Sequence, residues 1–220
     1  LGNNEIARLT GVNPSTVSRL LATLEGDELV TRMEETGRFR LGPRLVELGN
    51  AALARIDLRQ LSRPHLEALT RSTGETATLS VPYQQGTITV DFVQSPSSVR
   101  SVAQVGRESV AHATATGKVF LAHAGTLPAP PLTSYTARTV TDPDELAAQV
   151  KQIRRRGWAQ SVGEREDDLN AIAAPVLGTD GGLAGVVGLQ GPAGRFGPQV
   201  MRAAVDVLLI HSMELSSTYR

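Results

Sequence analysis

The sequence predicts an α+β chain: an N-terminal winged helix-turn-helix, a linker helix, and a C-terminal domain built on an antiparallel sheet. Three observations lead there. Between Glu5 and Leu41 apolar residues recur at helical spacing, break at a glycine, recur again, and then switch to the two-residue period of a strand. From Glu75 onward β-rich runs bounded by turn signals replace the helical period. The 220 residues, 40% hydrophobic and 20% charged, suit two modest globular domains better than one large one. The boundaries read this way are 1–41 for the helix-turn-helix, 42–57 for the linker helix and 58–220 for the C-terminal domain.

Ile6, Ala7 and Leu9 mark a short first helix that ends at Thr10-Gly11, where glycine tolerates the positive φ of a sharp turn. Asn13-Pro14 is a helix start, with asparagine as N-cap and proline in the first turn. Val17, Leu20, Leu21 and Leu24 then form a buried stripe at i, i+3, i+4 and i+7. Ser15, Thr16, Ser18, Arg19 and Thr23 occupy the other face, and such side chains read base edges and phosphates. An amphipathic helix pair alone is common. The hairpin that follows raises the DNA reading: Leu29–Arg32, a turn at Glu34–Gly37, then Arg38-Phe39-Arg40-Leu41. Alternation turns Phe39 and Leu41 inward and Arg38 and Arg40 outward, toward phosphate or the minor groove. A helix-turn-helix also needs a third helix over the inner face of the pair, so we expect further residues upstream of Leu1.

Gly42-Pro43 opens the linker helix, with Leu45, Leu48, Ala52 and Ile56 on one face and Val46, Gly49 and Leu53 on the next. A helix from Asp57 to about Thr73 follows, restarted near Pro64 and closed by Gly74. Thr76–Val81 and Thr87–Val93 read as a hairpin around Tyr83–Gly86, Ser101–Val105 as a weaker strand, and Ala113–Ala122 as a short helix. Pro128–Leu132 is a loop, and Asp142-Pro143 caps a helix that runs to Gly157. Trp158–Val162, Ala171–Leu177 and Leu183–Gln190 are strands, the last two joined at Asp180-Gly181-Gly182. A closing helix from Pro198 to about Ser216 carries Val200, Ala203, Ala204, Val207, Leu208 and Ile210. The expected result is a sheet covered by helices on one side.

This order, with the strings AHATATGKVFLA, SVGERE, AIAAPV and GLQGPAGR, resembles the isocitrate lyase regulator (IclR) family of bacterial transcription factors from Leu1 nearly to the end. The resemblance implies a GAF-like C-terminal domain that binds a small metabolite, often a carboxylate, and a homodimer or a dimer of dimers. It places the effector loop at Ala113–Gly117, with Ala115, Thr116 and Gly117 as contacts and Ser161, Ala171, Gly188 and Gln190 as strand positions of the pocket. A helix N-terminus there suits a carboxylate, because its first turn has unpaired N–H groups and a positive dipole end. Family members that sense short keto acids tend to carry an acidic residue, a cysteine and two serines at those four strand positions. The smaller, less polar set here implies a roomier, less acid-tuned pocket, and Asp168 stands where a glycine is common.

Zero formal net charge excludes a non-specific basic coat, so DNA contact must rest on locally placed arginines. The absence of cysteine excludes disulfides and thiolate chemistry and fits a cytoplasmic protein. No apolar run reaches transmembrane length. Gly117-Lys118 lacks the upstream glycine and the Ser/Thr of a phosphate loop, and Gly188, Gly191 and Gly194 have the wrong spacing for a dinucleotide fingerprint. Glu164, Glu166, Asp167 and Asp168 read as a solvated acidic loop. His65, His112, His123 and His211 are scattered without zinc-pair spacing. We therefore expect no catalysis, metal or cofactor, and no membrane partner. The expected function is a regulator, with repression the favoured sense, that binds a pseudo-palindromic duplex operator under control of a small-molecule effector. The alternatives are a regulator whose C-terminal domain only oligomerises, and a GAF-like small-molecule binder that does not act on DNA.

Overall fold

The computed structural model describes residues 1–48 and 57–219, and the chain divides into two compact units, Leu1–Ile56 and Asp57–Arg220. In the first, α1 (Asn3–Thr10) and α2 (Pro14–Gly26) precede a two-stranded antiparallel sheet of β1 (Val30–Arg32) and β2 (Phe39–Leu41). Gly11 takes the left-handed conformation at φ 70° that closes α1. The Asn13 side chain caps α2 by accepting from the Ser15 N–H at 3.0 Å, with Pro14 in the first turn. Substituting Asn13 by alanine is expected to weaken α2 by about 1 kcal/mol, read as faster hydrogen exchange of its amides. The hairpin turn closes with the Gly37 N–H donating to Met33 O at 2.8 Å and Gly37 at φ 63°.

Ala7, Val17 and Leu21 form the core of this unit, and Ile6, Val30 and Phe39 pack against it. The stripe expected on α2 is narrower than its spacing indicated, since Leu20 is 52% exposed and Leu24 is also exposed. Those two lie on the adjoining ridge, roughly 60° round the helix, while α1 and Phe39 cover only the ridge of Val17 and Leu21. Leu41 likewise does not turn into the core. It is 79% exposed, because β2 ends there and the cluster stops at Phe39. Residues 44–48 of the expected linker helix are helical, and 49–56 lie outside the described residues.

The second unit opens with α3 (Asp57–Thr73), which runs through Pro64 without the expected restart. A five-stranded antiparallel sheet follows in the order β4-β3-β7-β6-β5, from β3 (Thr76–Tyr83), β4 (Gly86–Val93), β5 (Ala159–Val162), β6 (Leu169–Leu177) and β7 (Leu183–Pro192). Its helices are α4 (Ala115–His123), α5 (Pro143–Arg156) and α6 (Pro198–Thr218). Asp142 caps α5 as expected, and Gly157 ends it at φ 81°.

The sheet is covered on both faces, not on one. Helices α3 and α6 pack together over β3, β6 and β7, while α4 packs on β6 and β7 and carries α5 outside it. The cause lies in β6 and β7, where Ile172–Val176 and Gly185–Leu189 are buried without alternation. Ala173 and Val186 join the cluster of Val119, Leu121 and Ile153, and Gly185 approaches Leu58 on α3. A continuous apolar run is what a strand needs when neither side meets water. Ser101–Val105 is not a strand. The outer edge of β4 instead pairs with the next residues, Gly106 N–H donating to Thr89 O and Ser109 N–H to Thr87 O, both at 2.8 Å. On α6 the buried stripe is Met201, Ala204, Val205, Leu208, Ser212 and Leu215, leaving the expected Val200 and Ile210 outside. Among the described residues no helix is long and apolar enough to cross a membrane.

Candidate functional site

Two sites emerge, one in each unit. On α2, Ser15, Ser18, Arg19 and Thr23 are exposed and Thr16 is half-buried, opposite the buried Val17 and Leu21. Their hydrogen bonding sorts them further. Ser15 Oγ donates to the Asn13 cap at 2.8 Å and Thr23 Oγ1 donates back to Arg19 O at 3.2 Å. The Ser18 hydroxyl and the Arg19 guanidinium make no hydrogen bond among the described residues, so they are the groups free to reach outward. Arg40 is exposed on β2, opposite Thr31. Arg38 is exposed but engaged, its guanidinium 2.8 Å from Glu5 Oε2, which ties the hairpin to the start of α1. Arg32, at the end of β1, is also exposed, and it stands apart from the Arg-x-Arg alternation that marks Arg38 and Arg40 in the sequence.

The second site is a cavity of about 100 Å³ in the Asp57–Arg220 unit. One water needs roughly 10–15 Å³ on the same measure, so a small organic molecule has room. The cavity lies between the sheet, the start of α4 and the segments 103–109 and 165–166. Of the positions that the resemblance assigns to a pocket, Ala115, Thr116, Ser161, Ala171, Gly188 and Gln190 line it. Gly117 does not. Its α-carbon is pressed against the Val110-Ala111 backbone, where an added methyl would come within 2.5 Å of Val110 O, so its role is close packing of α4. Its N–H is also taken, donating to the Thr114 hydroxyl at 3.1 Å. The N–H groups of Ala115 and Thr116 have no protein acceptor among the described residues, and they are the open donors of this helix end.

The remaining polarity is specific. Ser161 Oγ donates to Ala113 O at 3.0 Å, and so locks the segment before α4 to β5. Gln190 Nε2 donates to Ser101 Oγ at 2.8 Å. Arg107 and Glu166 pair across the cavity at 2.6 Å, both half-exposed. Thr78, Thr89, Gln104 and Arg165 also line it, and sequence reasoning missed them because they come from segments brought together only by the sheet. Gly188 leaves space where a side chain would meet Thr78 Oγ1 and the Thr116 methyl.

The acidic loop is not wholly solvated. Glu164 is 7% exposed and accepts two hydrogen bonds from Lys118 Nζ at 2.6 and 2.7 Å, while Lys118, itself 1% exposed, also donates to Gln149 Oε1. Burial is the larger influence on both, pushing the Lys118 ammonium down and the Glu164 carboxyl up from their ordinary values, and their mutual attraction opposes it. His112 is structural, with Nε2–H donating to Thr133 O at 2.9 Å. His65 and His211 are not scattered; their Nδ1 atoms lie 2.9 Å apart.

The family described as "Bacterial transcriptional regulator IclR C-terminal" matches residues 50–216, and "IclR helix-turn-helix domain" matches residues 1–34. The chain belongs to the IclR family. This IclR regulator is 34% identical over 203 residues to the glycerol operon regulatory protein of Streptomyces griseus, covering 90% of this chain and 80% of that protein. The crystal structure of Thermotoga maritima IclR superposes with a TM-score of 0.78 at 26% identity, covering 99% of this chain and 90% of that one. An IclR homolog from Microbacterium hydrocarbonoxydans, solved in complex with 4-hydroxybenzoate, has the same fold, with a TM-score of 0.83 at 24% identity over 98% of this chain and 90% of that one. The IclR regulator described here is therefore a helix-turn-helix DNA-binding protein with an effector-binding domain.

Proposed function

We propose that this IclR regulator is a cytoplasmic, non-enzymatic repressor that reads a pseudo-palindromic operator as a homodimer, or as a dimer of dimers, and responds to a small carboxylate. The observation that carries the DNA half is the unengaged Ser18 and Arg19 on the face of α2 opposite its core. Ser15, Thr16 and Thr23 flank them on the same face, and Arg40 with Arg38 of the wing reaches phosphate or the minor groove. Arg38 must leave Glu5, or share it, to do so. Two-fold symmetry in the protein calls for half-sites one helical turn apart or a multiple of it. In domain terms, residues 1–41 read DNA, 42–57 link, and 58–220 sense.

The sensing half rests on the open N–H groups of Ala115 and Thr116 at the cavity wall. A carboxylate would take both donors at the positive end of α4, with Gln190 and Ser161 beside it and Gly188 leaving room for a ring. DNA selected by the purified protein should enrich one pseudo-palindrome; enrichment of no sequence would defeat the DNA reading. For the ligand, 4-hydroxybenzoate and 4-hydroxybenzamide make a matched pair of probes. The acid should raise Tm, as linkage requires of a ligand that binds the native state, the amide should raise it less, and Gly188→Val should abolish both shifts. Equal shifts for acid and amide would exclude carboxylate recognition at α4.

A further inference from the structure

His65 on α3 and His211 and Glu214 on α6 lie outside the cavity and outside the DNA-facing helix. Their ligand atoms converge. The two Nδ1 atoms are 2.9 Å apart, and Glu214 Oε2 stands 3.6 Å from His65 Nδ1 and 3.5 Å from His211 Nδ1. His211 and Glu214 are three residues apart on one helix and so share a face. The rings meet edge-on, with centroids 5.1 Å apart.

A hydrogen bond between two neutral imidazoles accounts for only part of this. It places one proton between the two Nδ1 atoms and directs none at the Glu214 carboxylate, which nevertheless stands 3.5–3.6 Å from both nitrogens. A shared cation removes that conflict. Zinc bonds to imidazole and carboxylate are about 2.0–2.2 Å long, so neighbouring ligands of a tetrahedral ion stand roughly 3.3 Å apart. The three separations bracket that value, and two imidazoles with one carboxylate are the donor set of a borderline divalent ion.

We propose that His65, His211 and Glu214 bind a divalent transition-metal ion of the zinc class, with three protein ligands and a fourth position open to water. The ion would join α3, the first helix of the second unit, to α6, its last. It is a second ligand site, independent of the effector cavity. Its binding stabilises the packing of these two helices, because a preformed site does not persist in the unfolded chain.

The test uses the metal-free full chain titrated with Zn²⁺ and with Co²⁺. Expected are one ion bound per chain, visible Co²⁺ d–d absorption of a tetrahedral nitrogen and oxygen site, and a higher Tm with Zn²⁺. His65→Gln and His211→Ala should each weaken binding by at least about tenfold, the scale already seen for residues that merely support metal ligands. His123→Gln should leave it unchanged. Unaltered Zn²⁺ affinity in both histidine variants, or no d–d absorption at saturating Co²⁺, overturns the proposal. Should either histidine variant fail to fold, Glu214→Gln on the exposed side of α6 reads the same loss.

Discussion

Lys118→Met is expected to destabilise the Asp57–Arg220 unit by about 3–5 kcal/mol, the scale of breaking a buried ion pair from one side. The side chain is replaced by one of similar length, so little packing is lost. What remains is a carboxylate at Glu164, 7% exposed, without the two hydrogen bonds it accepted from Lys118. The double variant Lys118→Met/Glu164→Gln should recover most of the loss, since the uncompensated charge leaves with its partner. Chemical denaturation of the four proteins in the cycle measures this, and a double variant as unstable as the sum of the singles would refute the ion-pair account.

The single variant should also be pH-dependent in a defined sense. Burial already raises the Glu164 carboxyl above its ordinary value, and loss of the ammonium raises it further. The folded state then holds a proton that the unfolded state releases. Stability of the variant is therefore greatest below the unfolded carboxyl range and falls as pH rises through the raised folded value. Function should follow stability. Lys118 lies on α4, whose first turn lines the cavity, and Glu164 directly precedes Arg165 and Glu166 on the opposite wall. The pair holds those walls in register, and the ligand-induced Tm shift should weaken with it.

Arg19→Ala is expected to weaken operator binding by about 1–3 kcal/mol while leaving the fold and ligand binding intact. The guanidinium is exposed on α2 without a partner among the described residues, so its removal costs the free protein little. Fluorescence anisotropy with the selected operator measures the loss, and repeating it over a range of salt assigns the contact. A base-reading arginine lowers affinity for the operator far more than for scrambled duplex. A phosphate-reading arginine lowers both alike and reduces the salt slope by about 0.9 for the charge removed. Unchanged affinity for both duplexes would remove α2 from the interface and favour a GAF-like binder whose helix-turn-helix meets protein.

Much of the fold was legible in the chain because its signals are local. Asn13-Pro14, Asp142-Pro143, Gly157 and Asp180–Gly182 each act within about one turn of backbone, and each stands where the spacing placed it. The coverage of the sheet on both faces has its reason in the residues themselves. The unbroken runs Ile172–Val176 and Gly185–Leu189 signal burial on both faces, whereas a one-sided sheet would alternate. Six of the seven expected pocket residues line the cavity. The seventh, Gly117, carries a glycine for backbone packing, a requirement that no motif distinguishes from one for ligand access.

By itself the sequence determined the order of elements, the caps and turns between them, the polar outward face of α2 and the membership in a regulator family. Those depend on periodicity and on contacts a few residues long. Only the tertiary structure decided which polar groups are spent and which are free. Arg38 meets Glu5 from 33 residues away, Lys118 meets Glu164 from 46, and His65 meets His211 from 146. The sign and strength of such pairs follow from burial and distance, and sheet pairing together with helix packing sets both.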